Sequence, residues 1–157
     1  MKILICGLPG SGKSTLAEPF ANLIGGVWIN ADKVRKHYND WDFTPEGRIR
    51  QALRMKYLSD GAVMAGKIAI ADFIAPTEKA RKEFDADFTV WMDTVKESQS
   101  VNGPAAAGST FEQTNKMFEP PKHVDYHVSG WFNDTDKELL KVVQWWINKQ
   151  RGNHERL

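Results

Sequence analysis

The chain has 157 residues, 41% hydrophobic and 26% charged, with a formal net charge of +1. That length suits one compact domain with its own core, and the near-neutral balance argues against a duplex-binding surface. A single cysteine, Cys6, excludes an internal disulfide, no apolar run reaches membrane-spanning length, and the opening MKILICG is too short for a signal peptide, so a soluble cytoplasmic protein is expected.

Lys2 to Cys6 reads as a short buried strand, followed by a glycine-rich segment from Gly7 to Ser14. A helical pattern follows, with Leu16, Phe20, Leu23 and Ile24 on one stripe, Pro19 as a bend, and Gly25 with Gly26 as its stop. Val27 to Asn30 reads as a second strand and Ala31 to Tyr38 as a short helix. A longer helix is expected from about Glu46 to Ala65, with Ile49, Leu53 and Tyr57 along one side. Lys67 to Phe73 lacks alternation, which fits a third strand buried on both faces. Thr77 to Phe84 reads as helix and Phe88 to Met92 as a fourth strand. The stretch from Val95 to Thr110 has small residues, Gly and Pro and no period, so it is expected to be a mobile loop, and 95–118 a candidate lid. Phe111 to Met117 is a short helix and Val124 to Val128 a fifth strand. In the last helix Leu139, Val142, Val143, Trp146 and Ile147 form a stripe, Trp145 and Trp146 read as packing, and Thr135 with Glu138 makes a capping box. Alternating strands and helices predict an α/β fold with a five-stranded, mostly parallel sheet covered on both faces, in a single domain over 1–157; the segment Gly7 to Ser14, which fits G-x-x-x-x-G-K-[ST], predicts that this fold is that of a P-loop NTPase.

Gly7-Leu8-Pro9-Gly10-Ser11-Gly12-Lys13-Ser14 fits G-x-x-x-x-G-K-[ST], with an apolar strand before it and a helical pattern after it. Glycines let backbone N–H groups close around phosphates, and the following helix adds its positive dipole end. Lys13 is expected to reach the β- and γ-phosphates of ATP, Ser14 to ligate Mg2+, and Thr15 to complete the nucleotide-binding residues.

The stretch NADKVRKHYNDWDFTPEGRIRQALR, from Asn30 to Arg54, resembles the substrate-side region of adenylylsulfate kinases, in which D-G-D-N-V-R is followed by G-F-[ST] and D-R-x-x-N. The matching positions carry Asp32, Val34 and Arg35, then Phe43 and Thr44, then Arg48 and Gln51. Phe73-Ile74-Ala75-Pro76 is similar to the family's F-I-S-P, and Phe111 with Phe118-Glu119-Pro120-Pro121 resembles F-T-G-I-D-x-P-Y-E-x-P. The likeness runs from Lys2 to about Tyr126. The departures are Asn30 for the first aspartate, Gly47 for the aspartate before Arg48, Gln51 for the helix asparagine, Ala75 for a serine that carries phosphate in some members, and a small-residue stretch in place of a basic lid.

The resemblance implies an ATP- and magnesium-dependent transfer to the 3′-hydroxyl of adenylylsulfate, an anionic nucleotide. A homodimer is compatible with it; membrane and nucleic-acid partners are not expected. The alternatives are a kinase for another hydroxyl substrate (a nucleotide, a polynucleotide end or a sugar) and a nucleotide-binding switch with little turnover. Asp32 follows the second strand, where it can accept a hydroxyl proton, hold a magnesium-bound water, or serve as a helix N-cap or first-turn acid. Asp72 ends the third strand, where it can hold magnesium or make an internal hydrogen bond. Arg35 and Arg48 can clamp an anion or lie on a solvated face. Arg48 and Gln51 share a helix face, Phe43 and Phe111 can stack on a purine or pack as core, and Ile74 joins the implied acceptor set. The four histidines lack metal-ligand spacing and receive no role.

Overall fold

The computed structural model describes residues 1–99, 109–131 and 133–155. These form β1 (Lys2–Gly7), α1 (Lys13–Ile24), β2 (Val27–Asn30), α2 (Ala31–Tyr38), α3 (Pro45–Met64), β3 (Ala69–Asp72), α4 (Glu78–Phe84), β4 (Phe88–Met92), α5 (Ser109–Met117), β5 (Tyr126–Val128) and α6 (Thr135–Glu155). The sheet order is β2-β3-β1-β4-β5, and every pairing is parallel. Parallel neighbours require crossovers, and the helices in them cover both faces. All strands therefore present their carboxyl ends on one side, with β1 in the middle, where the chain first turns towards β2 and later places β4 and β5 beyond it.

The two faces of β1 build two cores. Ile3 and Ile5 pack with Leu16, Phe20, Ile70, Phe88, Val90, Leu139 and Val143, against α1 and α6. Leu4 and Cys6 pack with Met55, Ala69, Ala71, Phe73 and Phe84, against α3 and α4. This explains the absence of alternation in β1 and β3, whose residues are buried on both faces. Burial also pushes the Cys6 thiol up to about 12, which removes it as a nucleophile. Among the described residues no helix is long and apolar enough to cross a membrane.

Several expectations need correction. The Ile49–Leu53–Tyr57 side of α3 is not its core side: Ile49 is 53% and Tyr57 66% exposed, and the buried residues are Gly47, Gln51, Ala52, Met55 and Ser59. Small and polar residues face inward because α3 lies against loop backbone and α2 as well as against the sheet. Leu23 is exposed beyond the α1 stripe, and Trp145 is exposed with Lys149 over its ring, whereas Trp146 meets Phe88 edge to face. Helix α1 continues through Pro19, and Gly25, in the left-handed region, ends it. Thr135 is the first residue of α6 and not its cap, since Glu138 N–H donates to the Asp134 carbonyl. Of the expected loop, 100–108 lies outside the described residues, and Ser109 and Thr110 are already helical.

Candidate functional site

The carboxyl end of β1 turns directly into the phosphate loop. Gly12 stands at the start of α1 in the left-handed region, and Ser11 N–H closes a turn onto the Leu8 carbonyl at 3.1 Å. Lys13 Nζ donates to the same carbonyl at 3.0 Å, so the ammonium is folded back over the loop. Loss of water pushes Lys13 below its ordinary value, and the negative charges of Asp72 and Asp32 oppose that shift. The Ser11 hydroxyl is buried and has no hydrogen-bond partner among the described residues.

Beside the loop stands a connected polar cluster built by strand period. Trp28 and Asn30 lie two apart on β2, so both project to one face, and in the ladder they pair with Ile70 and Asp72 of β3. Asp72, 2% exposed, accepts on Oδ2 from Trp28 Nε1 at 2.7 Å and from Asn30 Nδ2 at 3.0 Å. Ser14 Oγ lies 3.4 Å from Oδ1 and 3.3 Å from Oδ2, and it accepts from Asn30 Nδ2 at 3.0 Å. Asn30 Oδ1 accepts Lys33 N–H at 3.0 Å, which makes Asn30, and not Asp32, the N-cap of α2. Burial raises the Asp72 pKa above the usual carboxylate range; the donors Asn30 and Trp28 and the charge of Lys13 hold it back.

A cavity of about 650 Å³ opens from the loop towards α2 and α3, lined by Lys13, Asp32, Arg35, Phe43, Ile74 and Phe111 among others. Arg48, Gln51, Ser14, Thr15 and Asp72 also line it, so the sequence-predicted acid, arginines and aromatics share one wall system. Asp32 is exposed in the first turn of α2. Arg35 is buried, and its Nη1 donates to the carbonyls of Asp40 and Asp42. Arg48 donates through Nε to the Phe43 carbonyl and through Nη2 to Thr114 Oγ1 at 2.7 Å. Their guanidinium carbons lie 4.2 and 5.6 Å from the Phe43 ring centroid. The arginines thus shape the Phe43 loop as well as facing the cavity. Gln51 Nε2 donates to the Ala31 carbonyl and fixes the start of α2. A Cβ on Gly47 would collide with the Asp42 carbonyl oxygen, which explains why no aspartate precedes Arg48.

Two contacts escaped the sequence reading. Residues 94–99 run over the phosphate loop: Thr94 Oγ1 donates to the Ser11 carbonyl at 2.6 Å and Gln99 N–H to the Pro9 carbonyl at 2.8 Å. Gly10, at φ 82°, leaves room for this, since a Cβ there would lie 2.6 Å from the Gln99 carbonyl oxygen. Ser98 then donates to Asn115 of α5. On the β5 side, Trp131 is 44% exposed and stands beside Gly12, whose added Cβ would lie 3.6 Å from the indole. Neither contact has a short-range signal; each arises where separate strand ends converge.

A parallel five-stranded sheet with a phosphate loop after its central strand is the fold of P-loop kinases. The family model for adenylylsulphate kinase matches residues 1–99, and the chain belongs to that family. An adenylyl-sulfate kinase of Staphylococcus haemolyticus is 26% identical over 94% of this chain and 84% of its own length. An adenylate kinase of Pyrococcus furiosus is 38% identical over 55% of this chain, a match that spans 37% of that protein. In fold, the Mycobacterium tuberculosis APS kinase CysC in complex with AMPPNP and APS superposes with a TM-score of 0.65 at 16% identity, over 91% of this chain and 96% of that one.

Proposed function

We propose that the protein transfers the γ-phosphoryl group of ATP to a hydroxyl of a small acceptor, with the 3′-hydroxyl of adenylylsulfate as the leading candidate. The observation that carries this reading is the single cavity wall joining the phosphate loop to Asp32, Arg35, Arg48 and the two phenylalanines. Lys13 exchanges its bond to the Leu8 carbonyl for the β- and γ-phosphates. Asp32 orients the acceptor hydroxyl and takes its proton. Arg35 and Arg48 face the anionic part of the acceptor with their remaining donors, Phe43 and Phe111 flank its base, and Ile74 and Gln51 complete the wall. The nucleoside end of ATP runs the other way, towards Trp131.

One hydroxyl and one buried carboxylate, Ser14 and Asp72, 3.3 Å apart at the phosphate loop, fit a magnesium ion completed by phosphate oxygens and water. Such an ion, held by Ser14 and Asp72, would neutralise charge that develops in transfer. The segment 95–118 serves as a lid in this reading. Its start is bonded to the phosphate loop through Gln99, and α5 is bonded to the acceptor wall through Thr114.

Release of ADP on addition of adenylylsulfate, measured against a panel of nucleotides, sugars and polynucleotide ends, tests the assignment. Turnover with adenylylsulfate well above the panel supports it. A second reading, another hydroxyl acceptor, is favoured by the commitment of Arg35 and Arg48 to loop carbonyls, and turnover with a panel member alone would select it.

A further inference from the structure

We infer that Trp28 is a positioning residue for phosphoryl transfer: its indole N–H holds one oxygen of Asp72 so that the carboxylate presents a fixed edge to Ser14 and the phosphate loop. The inference rests on the reading of Asp72 as the magnesium-side acid.

The 2.7 Å bond from Trp28 Nε1 to Asp72 Oδ2 is shorter than the 3.0 Å bond from Asn30 to the same oxygen. A buried carboxylate on a short side chain has two rotatable bonds, and once the Ser14 hydroxyl, which also donates to Asp72, turns to a metal, Asn30 alone leaves it free to pivot about a single donor. The indole N–H, arriving from β2 two residues earlier, removes that freedom. Both donors sit on the same face because strand residues alternate, and the ladder register sets Asn30 opposite Asp72. The indole is itself held: Lys33 Nζ lies 4.2 Å from the ring centroid, while Lys33 N–H is capped by Asn30. One asparagine thus fixes the acid directly and, through Lys33, supports the indole that fixes it again. Trp28 also packs against the core facing α1, so a packing role has to be separated from the N–H role.

Trp28→Phe keeps an aromatic ring and removes the donor, whereas Trp28→His keeps a ring N–H. Both are measured for folding by thermal melt and for phosphoryl transfer as a function of Mg2+, and whichever variant folds decides between the two roles. The expected result for Trp28→Phe is a half-saturating Mg2+ concentration raised about 10-fold or more, the scale of lost support behind a metal ligand, with Trp28→His between it and the wild type. In an Asp72→Asn background, the Trp28→Phe change should add nothing to the Mg2+ requirement. An unchanged Mg2+ requirement in the folded variants, or a shift that persists in full without Asp72, would overturn the inference. If Asp72→Asn itself leaves the Mg2+ requirement unmoved, the reading of Asp72 as the magnesium-side acid fails. If Asp72→Asn moves it and Trp28→Phe does not, only the role of Trp28 fails.

Discussion

Asn30 and Asp72 are register partners across β2 and β3, and the amide of one donates to the carboxylate of the other at 3.0 Å. An acid at position 30 would set two carboxylates at that distance in a site where both residues are under 10% exposed. Asn30→Asp should therefore destabilise the metal-free protein by about 3 kcal/mol, the scale of an uncompensated buried charge. Added Mg2+ should recover part of the loss. Melting curves in chelator and in Mg2+ check both; equal melting of mutant and wild type in chelator would contradict the paired geometry.

Asp72→Asn should separate stability from turnover. Burial raises the folded-state pKa of Asp72 above its unfolded value, so the folded chain holds that proton more tightly. Stability from this group is fully present below the unfolded pKa and is lost as pH rises through the folded pKa. In metal-free buffer at neutral pH the amide variant should melt above the wild type, with the gap closing in acid, while its transfer rate falls. A variant that melts lower at neutral pH would show that the ionised carboxylate stabilises the fold.

Asp32 is exposed, and Asn30 already caps its helix. Asp32→Asn should leave melting near that of the wild type and ATP affinity little changed. Turnover should fall roughly 100-fold or more, the contribution of a positioned general base. Steady-state kinetics beside nucleotide titration decide this, and near-normal turnover would reduce Asp32 to a first-turn acid favouring the helix dipole.

Lys13 makes its bond to a carbonyl of its own loop. Lys13→Ala should keep stability within about 1 kcal/mol, a typical net hydrogen-bond contribution. Transfer should drop by about 100- to 1,000-fold or more, as expected for loss of a charge-stabilising donor. Wild-type turnover by the folded variant would remove Lys13 from the mechanism.

Gly10 admits Gln99 onto the phosphate loop. Gly10→Ala should displace residues 94–99, weaken ATP binding and cost about 1–2 kcal/mol for a side chain in the left-handed region. Hydrogen exchange across 95–118, with and without an ATP analogue and acceptor, tests the lid. Protection gained on binding supports it, and unchanged fast exchange through the segment opposes it.

The order of elements was legible because the strands are short and apolar, and because glycine, proline or a cap residue bounds most of the helices between them. The phosphate loop was legible because its chemistry is contiguous. Asp72 stood out as the one acid in an apolar strand, yet its partners Trp28 and Asn30 come from the neighbouring strand and follow only from register. Periodicity misjudged α3, since it assigns apolar residues to the core, and this helix turns Gly47 inward to meet loop backbone and Gln51 inward to meet the start of α2. The arginines were found by family position, but their bonds to the Phe43 loop depend on its path, which no short pattern encodes. Trp131 is far along the chain from the loop it adjoins.

Ala75 sits on the cavity wall with φ at 43°, in the left-handed region, and Arg81 Nη1 donates to its carbonyl at 2.7 Å. Arg81 also reaches the Glu119 carbonyl at 2.7 Å, and Glu119 N–H bonds the Pro76 carbonyl at 2.7 Å. This corner is thus held from behind by Arg81 and Glu119, neither of which lines the cavity. On the proposed function an incoming molecule would meet a mould and not a yielding surface, and small differences in outline at this wall would translate into exclusion. Ala75→Gly would soften that mould while relieving its strain, giving a sturdier protein that chooses its acceptor less sharply.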